Sequence, residues 1–188
     1  MIQNNDGISA QATVPVGFAN LLSIFSAEIA AVRFYPNSLE VSDGTSTIET
    51  LVRAEHFPDY ARLLPKSFVS EALLSMESLK STFSRSAFFA DQSAGTTMLS
   101  FSKDELRVEV PPGAYSNESL ESIEIAQWSG PSADVWLNIH KASRILSKVH
   151  SQDVGIRLNG WMQPVMVFPK SDPGLTILVM PVDPEKLK

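Results

Sequence analysis

The sequence predicts an α+β fold in which a helix followed by antiparallel strands recurs three times. Three segments carry apolar residues at helical spacing, and short alternating segments follow each of them. The predicted helices lie roughly 60 residues apart, a period that suggests internal structural repeats. Sequence identity between the copies is weak, so the repeat is one of pattern.

The first repeat follows an N-terminal arm without periodicity, residues 1–12. Apolar residues at helical spacing then predict an amphipathic helix, namely Val14, Phe18, Leu21 and Phe25. Alternating segments at 30–34, 38–41 and 47–53 predict three strands. Pro36-Asn37 and Asp43-Gly44 separate them as turns. This repeat is therefore one helix and a small meander of strands.

The second repeat follows a connector at 57–65, which contains two prolines and no clean period. A second amphipathic helix is predicted from the spacing of Val69, Leu73, Met76, Leu79 and Phe83. Strands are expected at 88–90, 97–101, 106–110 and 122–128. Pro111-Pro112-Gly113 opens a polar loop before the last of them.

The third repeat starts with a short strand at 135–137. Its helix, residues 138–149, begins at Asn138 and has one apolar side formed by Ile139, Ala142, Leu146 and Val149. Strands at 154–158, 165–168 and 175–180 complete the pattern.

The composition limits the classes of protein to consider. With 188 residues, 44% apolar and 19% charged, the chain can form a substantial core. No apolar run reaches the roughly 18 residues needed to cross a bilayer, and the polar N-terminus does not resemble a signal peptide. The chain has no cysteine, hence no disulfide framework or thiolate metal site. We therefore expect a cytoplasmic protein without membrane contact.

The net charge of −6 argues against a protein that wraps nucleic acid with its whole surface, but permits a local basic stripe. Lys141, Arg144 and Lys148 share one face of the third helix, opposite its apolar side. Such a stripe can contact phosphates without reading sequence. The alternative is an ordinary solvated helix face.

Three segments in one order carry a family resemblance. They are Phe57-Pro58-Asp59-Tyr60-x-Arg62-Leu63-Leu64-Pro65, the helix that begins at Asn138, and Ile177-Leu178-Val179-Met180-Pro181-Val182. Together they resemble the bacterial DNA polymerase III β subunit, the β sliding clamp, from about Thr13 to Val182. Leu79-Lys80-x-x-Phe83-x-Arg85-x-Ala87 is similar to the first helix of that family's terminal domain. The chain has about half the family's length.

The resemblance implies a domain layout and a DNA-facing surface. Residues 13–65 would be the second half of a middle clamp domain plus a connector, and 66–188 a complete C-terminal clamp domain. The DNA-facing residues would be Lys80, Arg85, Lys141, Arg144 and Lys148. The first helix departs from this expectation, because 13–28 contains no lysine or arginine.

The resemblance also implies a pocket for short partner peptides with apolar anchors. Its lining would be Pro58, Arg62, Leu63, Asn138, Met162, Leu178, Val179, Met180 and Pro181, with Pro164 less secure. Apolar walls with a flexible methionine suit that role, and Arg62 and Asn138 would fix orientation. The family's Gly-His-Arg-Leu-type strand for the other wall does not occur here. The alternative is that 178–180 is a buried strand and Phe57-Pro58 a packed connector.

A subunit interface is the third implication. Phe88 and Phe89, placed after the second helix, match an apolar pair at the family's subunit boundary, and Glu118, Glu121 and Glu124 would form its acidic rim. Aromatic anchors with a charged rim are typical of interfaces. Filling of the local core by both phenylalanines is equally open.

Patterns that indicate catalysis are poor. His56, His140 and His150 have no metal-ligand spacing, and neither a nucleophile elbow nor a phosphate loop occurs. We expect a non-enzymatic, sliding-clamp-like processivity factor, without cofactors, that tethers a polymerase or repair protein to duplex DNA and forms homo-oligomers. The alternative is a non-encircling module that binds clamp-interacting peptides or caps an intact clamp.

Overall fold

The computed structural model describes residues 11–25, 30–53, 59–113 and 117–187. The chain forms two compact units, Met1–Asp59 and Tyr60–Lys188. In both, helices lie with antiparallel sheets, so the predicted α+β class is confirmed.

The first unit contains one helix and one three-stranded antiparallel sheet of order β1-β2-β3. Its elements are α1 (Val16–Leu21), a 3-10 turn (Leu22–Ile24), β1 (Ala31–Phe34), β2 (Ser38–Ser42) and β3 (Thr47–Leu51). Phe18, Leu39 and Val41 form its small core. The Asp43-Gly44 turn forms as predicted, since Asp43 Oδ1 accepts hydrogen bonds from the amides of Thr45 and Ser46.

The first helix is much shorter than the predicted apolar stripe. It spans six residues, and no side chain caps its N-terminus at Pro15. No charge of either sign complements its ends, so little besides the burial of Phe18 stabilises it. The predicted strand 47–53 ends at Leu51, and Arg53 instead forms a single bridge with Thr13. Most of the predicted arm, 1–10, lies outside the described residues.

The second unit repeats the order strand, helix, three strands. The first copy consists of β4 (Ser70–Ser75), α2 (Met76–Phe89), β5 (Thr96–Phe101), β6 (Glu105–Val110) and β7 (Ser119–Glu124), with the short β8 (Gln127–Ser129) after it. The second consists of β9 (Ala133–Asn138), α3 (Ile139–Leu146), β10 (Asp153–Leu158), β11 (Val165–Pro169) and β12 (Ile177–Val179).

The two copies exchange their leading strands. One sheet has the order β12-β11-β10-β4-β8, and the other has the order β7-β6-β5-β9. The strand that opens each copy thus completes the sheet of the other copy. Side chains from both helices and both sheets share one core, in which Leu79 of α2 and Ile139 of α3 are fully buried.

Two predictions about the second helix were wrong. It does not start near Val69, because 70–75 form β4, in which Ser70, Ala72 and Leu74 are buried alternately. The helix begins at Met76, and Ser75 Oγ caps it by accepting a hydrogen bond from the Ser78 amide.

Residues 88–90, predicted as a strand, include the last turn of the same helix. The helix runs to Phe89, and the Ala90 amide still donates to the Ser86 carbonyl at 3.1 Å. Contacts of α2 with its sheets and with α3 therefore override the strand preference of two consecutive phenylalanines.

Candidate functional site

Helices α2 and α3 pack side by side and carry most of the predicted DNA-facing residues. The Lys80 ammonium of α2 donates a hydrogen bond to the Val149 carbonyl, just past the end of α3. A groove of about 530 Å³ lies along the two helices. It is lined by Glu77, Lys80 and the serines Ser81, Ser84, Ser143, Ser147 and Ser151, among others. The groove therefore offers hydroxyl groups and one partly engaged cation to a polar ligand.

The basic stripe lies where the helical wheel predicts it. Lys141 and Arg144 are exposed on α3, and Lys148 is exposed just after the helix ends. The opposite side of α3 buries Ile139 and Ala142. Across the described ranges, none of the three cations forms an ion pair. Their charge is thus available to an anionic partner.

Arg85 has a partner within the protein. Its guanidinium donates hydrogen bonds to both carboxylate oxygens of Glu121 on β7 and, at 3.1 Å, to Thr82 Oγ1. The hydrogen bond that Arg85 donates to Glu121 raises the pKa of Arg85 above its ordinary value. Two residues predicted for different surfaces, Arg85 for DNA and Glu121 for the subunit interface, therefore form one ion pair.

The tail that would line the peptide pocket lies beside β9. Strand β12 is the outer strand of its sheet and pairs Val179 with Val165 of β11. Beyond it, the Val182 amide donates to the Trp136 carbonyl of β9 at 2.9 Å. This hydrogen bond fixes the tail beside β9, the strand that ends at Asn138.

Several predicted pocket residues present apolar surface. Met180 is 58% exposed, and Leu63 and Met162 are also exposed, while Leu178 is half-buried. Arg62 lies with Leu63 in a 3-10 turn, Tyr60–Leu63, and Met162 lies in the turn between β10 and β11. Pro58 lies outside the described residues.

Asn138 is engaged in holding α3. Its Oδ1 accepts a hydrogen bond from the Lys141 amide at 2.9 Å, as the N-cap of the helix, and its Nδ2 donates to the Ala94 carbonyl at 2.7 Å. A ring nitrogen of His140 lies 2.9 Å from the Asp91 carbonyl. The loop after α2 is thereby fastened to the start of α3. The preference of asparagine for N-cap positions is the sequence signal for this role.

The residues predicted for a subunit interface lie around the edge strand β7. Phe88 is 81% exposed and packs edge-on against Phe89, with ring centroids 5.6 Å apart. The Asn117 amide donates to the Phe89 carbonyl, which joins the end of α2 to the chain just before β7. Filling of the local core is thus wrong for Phe88.

The rim of this edge is acidic. Glu118 and Glu124 are exposed, whereas Glu121 is partly buried against Arg85. Leu120, which sequence reasoning missed, is 59% exposed on the same strand. An apolar residue that alternates with polar neighbours on a strand was its only signal, and such a residue ordinarily faces the core.

Among the described residues, no helix is both long enough and apolar enough to cross a membrane.

The fold is that of DNA polymerase sliding clamps. Over 93% of its length, the chain is similar to a DNA polymerase sliding clamp from Pseudomonas aeruginosa, with a TM-score of 0.83 and 19% identity, and it covers 48% of that chain. The beta subunit from DNA polymerase of Streptococcus pyogenes gives a TM-score of 0.82 at 21% identity, over 94% of this chain and 49% of that one.

The family follows from the sequence. A family model described as the DNA polymerase III beta subunit, C-terminal domain, matches residues 61–183, so the chain belongs to that family. The beta sliding clamp of Synechococcus elongatus is 25% identical over 126 residues, which are 67% of this chain and 34% of that protein. The chain therefore spans about a third of this relative's length and about half of the solved clamp chains.

Proposed function

We propose that this chain is a non-enzymatic, sliding-clamp-like processivity factor that tethers a polymerase or another partner to duplex DNA in the cytoplasm. The observation that supports this most is the exposed basic stripe, which consists of Lys141 and Arg144 on the side of α3 away from the core and Lys148 just after the helix. Cations without a protein partner bind phosphates by releasing counterions, and such binding carries no sequence preference.

The five proposed DNA-facing residues contribute unequally. The stripe residues are free to contact phosphates directly. Lys80 donates to Val149, and Arg85 is paired with Glu121, so both would need to give up a protein contact. Three of the groove serines, Ser81, Ser147 and Ser151, already donate to backbone carbonyls. The hydroxyls of Ser84 and Ser143 can add neutral hydrogen bonds to phosphate oxygens.

The salt dependence of DNA binding tests this proposal. Replacing Lys141, Arg144 and Lys148 by alanine should lower the slope of log K against log salt by up to about 3, at roughly 0.9 per phosphate contact. A control variant with alanine at the exposed Lys66, Lys103 and Lys170 removes the same charge elsewhere. If both variants reduced the salt dependence of DNA affinity equally, the effect would come from net charge and not from the stripe. If the parent chain had no measurable affinity for DNA, the DNA role would be refuted.

Whether the protein encircles DNA is tested separately, by its retention on circular DNA. A closed ring stays on a nicked circle and slides off once the circle is cut, whereas a surface-bound module is indifferent to the cut. Salt-resistant retention on circles that is lost on cutting would support tethering by a ring.

The partner pocket is proposed at the tail and the turn before β4. Met162, Leu178, Val179, Met180 and Pro181 would receive apolar anchors of a partner peptide, with Arg62, Leu63 and Asn138 at its border. The exposed methionines suit a pocket that adapts to several peptides.

Fluorescence anisotropy of a labelled peptide with two apolar anchors should show loss of peptide binding in Met180→Asp. Leu120→Asp, at an equally exposed residue of β7, is the control and should leave peptide binding intact.

The subunit interface is proposed at β7. Phe88, Phe89 and Leu120 would supply apolar contact, and Glu118, Glu121 and Glu124 the acidic rim. Two copies of β7 side by side would place glutamates near glutamates, which is destabilising. The partner edge should therefore be basic.

The proposed function implies a domain layout in which 13–65 is half of a middle clamp domain and 66–188 a complete C-terminal clamp domain.

The alternative function is a non-encircling regulator. The exposed Phe88 and Leu120 at an open sheet edge are the observation in its favour, because such an edge can cap an intact clamp. Peptide or clamp binding without salt-sensitive DNA affinity would favour this alternative over the processivity factor.

A further inference from the structure

All three strand–helix–strand repeats share one backbone contact. In each repeat, an amide that follows the last strand returns to donate a hydrogen bond to a carbonyl of the leading segment. The pairs are Arg53 to Thr13 at 2.8 Å, Ala126 to Leu73 at 2.8 Å and Val182 to Trp136 at 2.9 Å. The first unit is thus built on the same plan as each half of the second unit, although their sequences barely match.

In the second unit, the other edge of each leading strand is also occupied. Strand β4 pairs with β10, and β9 pairs with β5, so each half receives the leading strand of the other. The alignment is the same in both cases. Leu73 lies opposite Gly155, the third residue of β10, and Trp136 lies opposite Met98, the third residue of β5.

The described part of the first unit contains one repeat, without a second repeat packed against it. Strand β1 pairs with β2 on one side, and among the residues described here no strand pairs with its other side. On α1, Val16 is 79% exposed and Ile24 in the following turn is also exposed, as are Val32 and Phe34 on β1. In the second unit, the packing of one half against the other covers the equivalent helix faces.

We propose that two copies of this chain associate through their first units by exchanging leading segments, as the two halves of the second unit do. The segment around Thr13 of one copy would lie along β1 of a second copy, with Thr13 opposite Arg33, the third residue of β1. The exchange is reciprocal, so one two-fold contact satisfies both open edges. It depends on neither DNA nor peptide binding.

The charges of these edges favour a second copy as the partner. The leading segment, residues 11–14, is uncharged. On β1, Arg33 is already paired with Glu40 of the neighbouring strand. No like charges therefore meet in this pairing, in contrast to two copies of β7.

Proline substitution can test the edge without disturbing the hairpin. The Tyr35 amide donates to the Ser38 carbonyl, and amides alternate in direction along an antiparallel strand, so the Val32 amide points away from β2. Val32→Pro thus removes only an outward amide. Leu120→Pro is the matched control, because Ile125 donates to Asp104 and the same alternation points the Leu120 amide outward from β7.

Light scattering on the intact chain over a range of concentrations gives the first result. Because Leu120 belongs to the subunit interface proposed at β7, the comparison is made in the Leu120→Pro chain, in which that contact is removed. We expect about twice the chain mass of 20.6 kDa for Leu120→Pro, and the single-chain mass when Val32→Pro is added to it. A parent chain whose mass stays at 20.6 kDa at every protein concentration tested overturns the proposal. A dimer lost in Leu120→Pro and kept in Val32→Pro overturns it too and assigns the contact to β7.

Disulfide trapping tests the register and does not rely on a variant that weakens association. The chain has no cysteine, so a Thr13→Cys chain mixed with an Arg33→Cys chain can form a 13–33 disulfide only between copies. Opposite residues of paired strands are close enough for this bond. We expect a 13–33 link in the mixture and none when Leu120→Cys replaces Arg33→Cys. No excess of the 13–33 link over that control overturns the proposed exchange.

Discussion

Replacement of Asn138 by alanine should destabilise the second unit measurably, because this side chain makes two structural hydrogen bonds at once. Its Oδ1 caps α3 through the Lys141 amide, and its Nδ2 holds the Ala94 carbonyl. Loss of an N-cap costs about 1 kcal/mol, and loss of a partly buried neutral hydrogen bond about 1 kcal/mol more. We therefore expect the free energy of unfolding to fall by about 2 kcal/mol.

Tryptophan fluorescence is the appropriate assay. Trp128, Trp136 and Trp161 are the protein's three tryptophans, and all lie in the second unit, so their emission reports the unfolding of that unit. Urea titrations should give the change in free energy. A loss of about 2 kcal/mol corresponds to a drop in melting temperature of roughly 4–8 °C for a chain of this size.

A conservative variant separates the two hydrogen bonds. Asn138→Asp keeps an oxygen that can cap α3 and adds a negative charge at the helix N-terminus, but it loses the donor to Ala94. We expect about half of the alanine effect. An Asn138→Ala protein with parent stability within about 0.5 kcal/mol, but without peptide affinity, would refute the structural role and assign Asn138 to the pocket.

Three further predictions concern the same unit. Leu79→Ala should cost about 2–5 kcal/mol in urea unfolding, because the leucine is fully buried in the shared core; a cost below about 1 kcal/mol would contradict that packing. Gly95→Ala should cost about 2 kcal/mol or more, since Gly95 has φ +56° and a Cβ would lie 2.5 Å from His140 Cδ2; parent stability in urea would show that the loop adapts. Hydrogen bonds from the Ala94 amide, then from the Ser93 hydroxyl and amide, lower the pKa of Asp91 below its ordinary value. The folded state is thus favoured while Asp91 is ionised, and this contribution is lost as pH falls below about 4; Asp91→Asn should flatten the pH dependence of unfolding in that range, and an unchanged profile would argue against it.

The third repeat shows how much of the fold follows from local sequence. The apolar side of α3, its asparagine cap and the exposure of Lys141 and Arg144 agree with the prediction, because a short amphipathic helix depends mostly on its own spacing. The predicted end at Val149 was wrong, since α3 ends at Leu146. The start of α2 does not, since Val69, Leu73 and Met76 fit a helical period while Ser70, Ala72 and Leu74 fit a strand. Pairing with β10 decides between the two, and no local pattern contains that information.

In the candidate site, too, some features follow from local sequence and others depend on contacts between distant residues. Exposure of Lys141 and Arg144 follows from the helical wheel. The pairing of Arg85 with Glu121 joins residues 36 positions apart and depends on the packing of α2 beside β7, so sequence spacing could not predict it. Among the described residues, no strand pairs with the outer side of β1, and the sequence could not predict this either. Strand pairing depends on segments far apart in the chain, as the exchange within the second unit shows.

The exchange of the leading strands β4 and β9 within the second unit also constrains how this unit can fold. Pairing of β4 with β10 joins Leu74 to Val154, about 80 residues apart, and neither sheet is complete until both leading strands have crossed. During synthesis, β4 therefore waits with one edge unpaired until α3 and β10 have left the ribosome. The first half cannot finish ahead of the second, and we expect the unit to fold in one slow, late step rather than half by half.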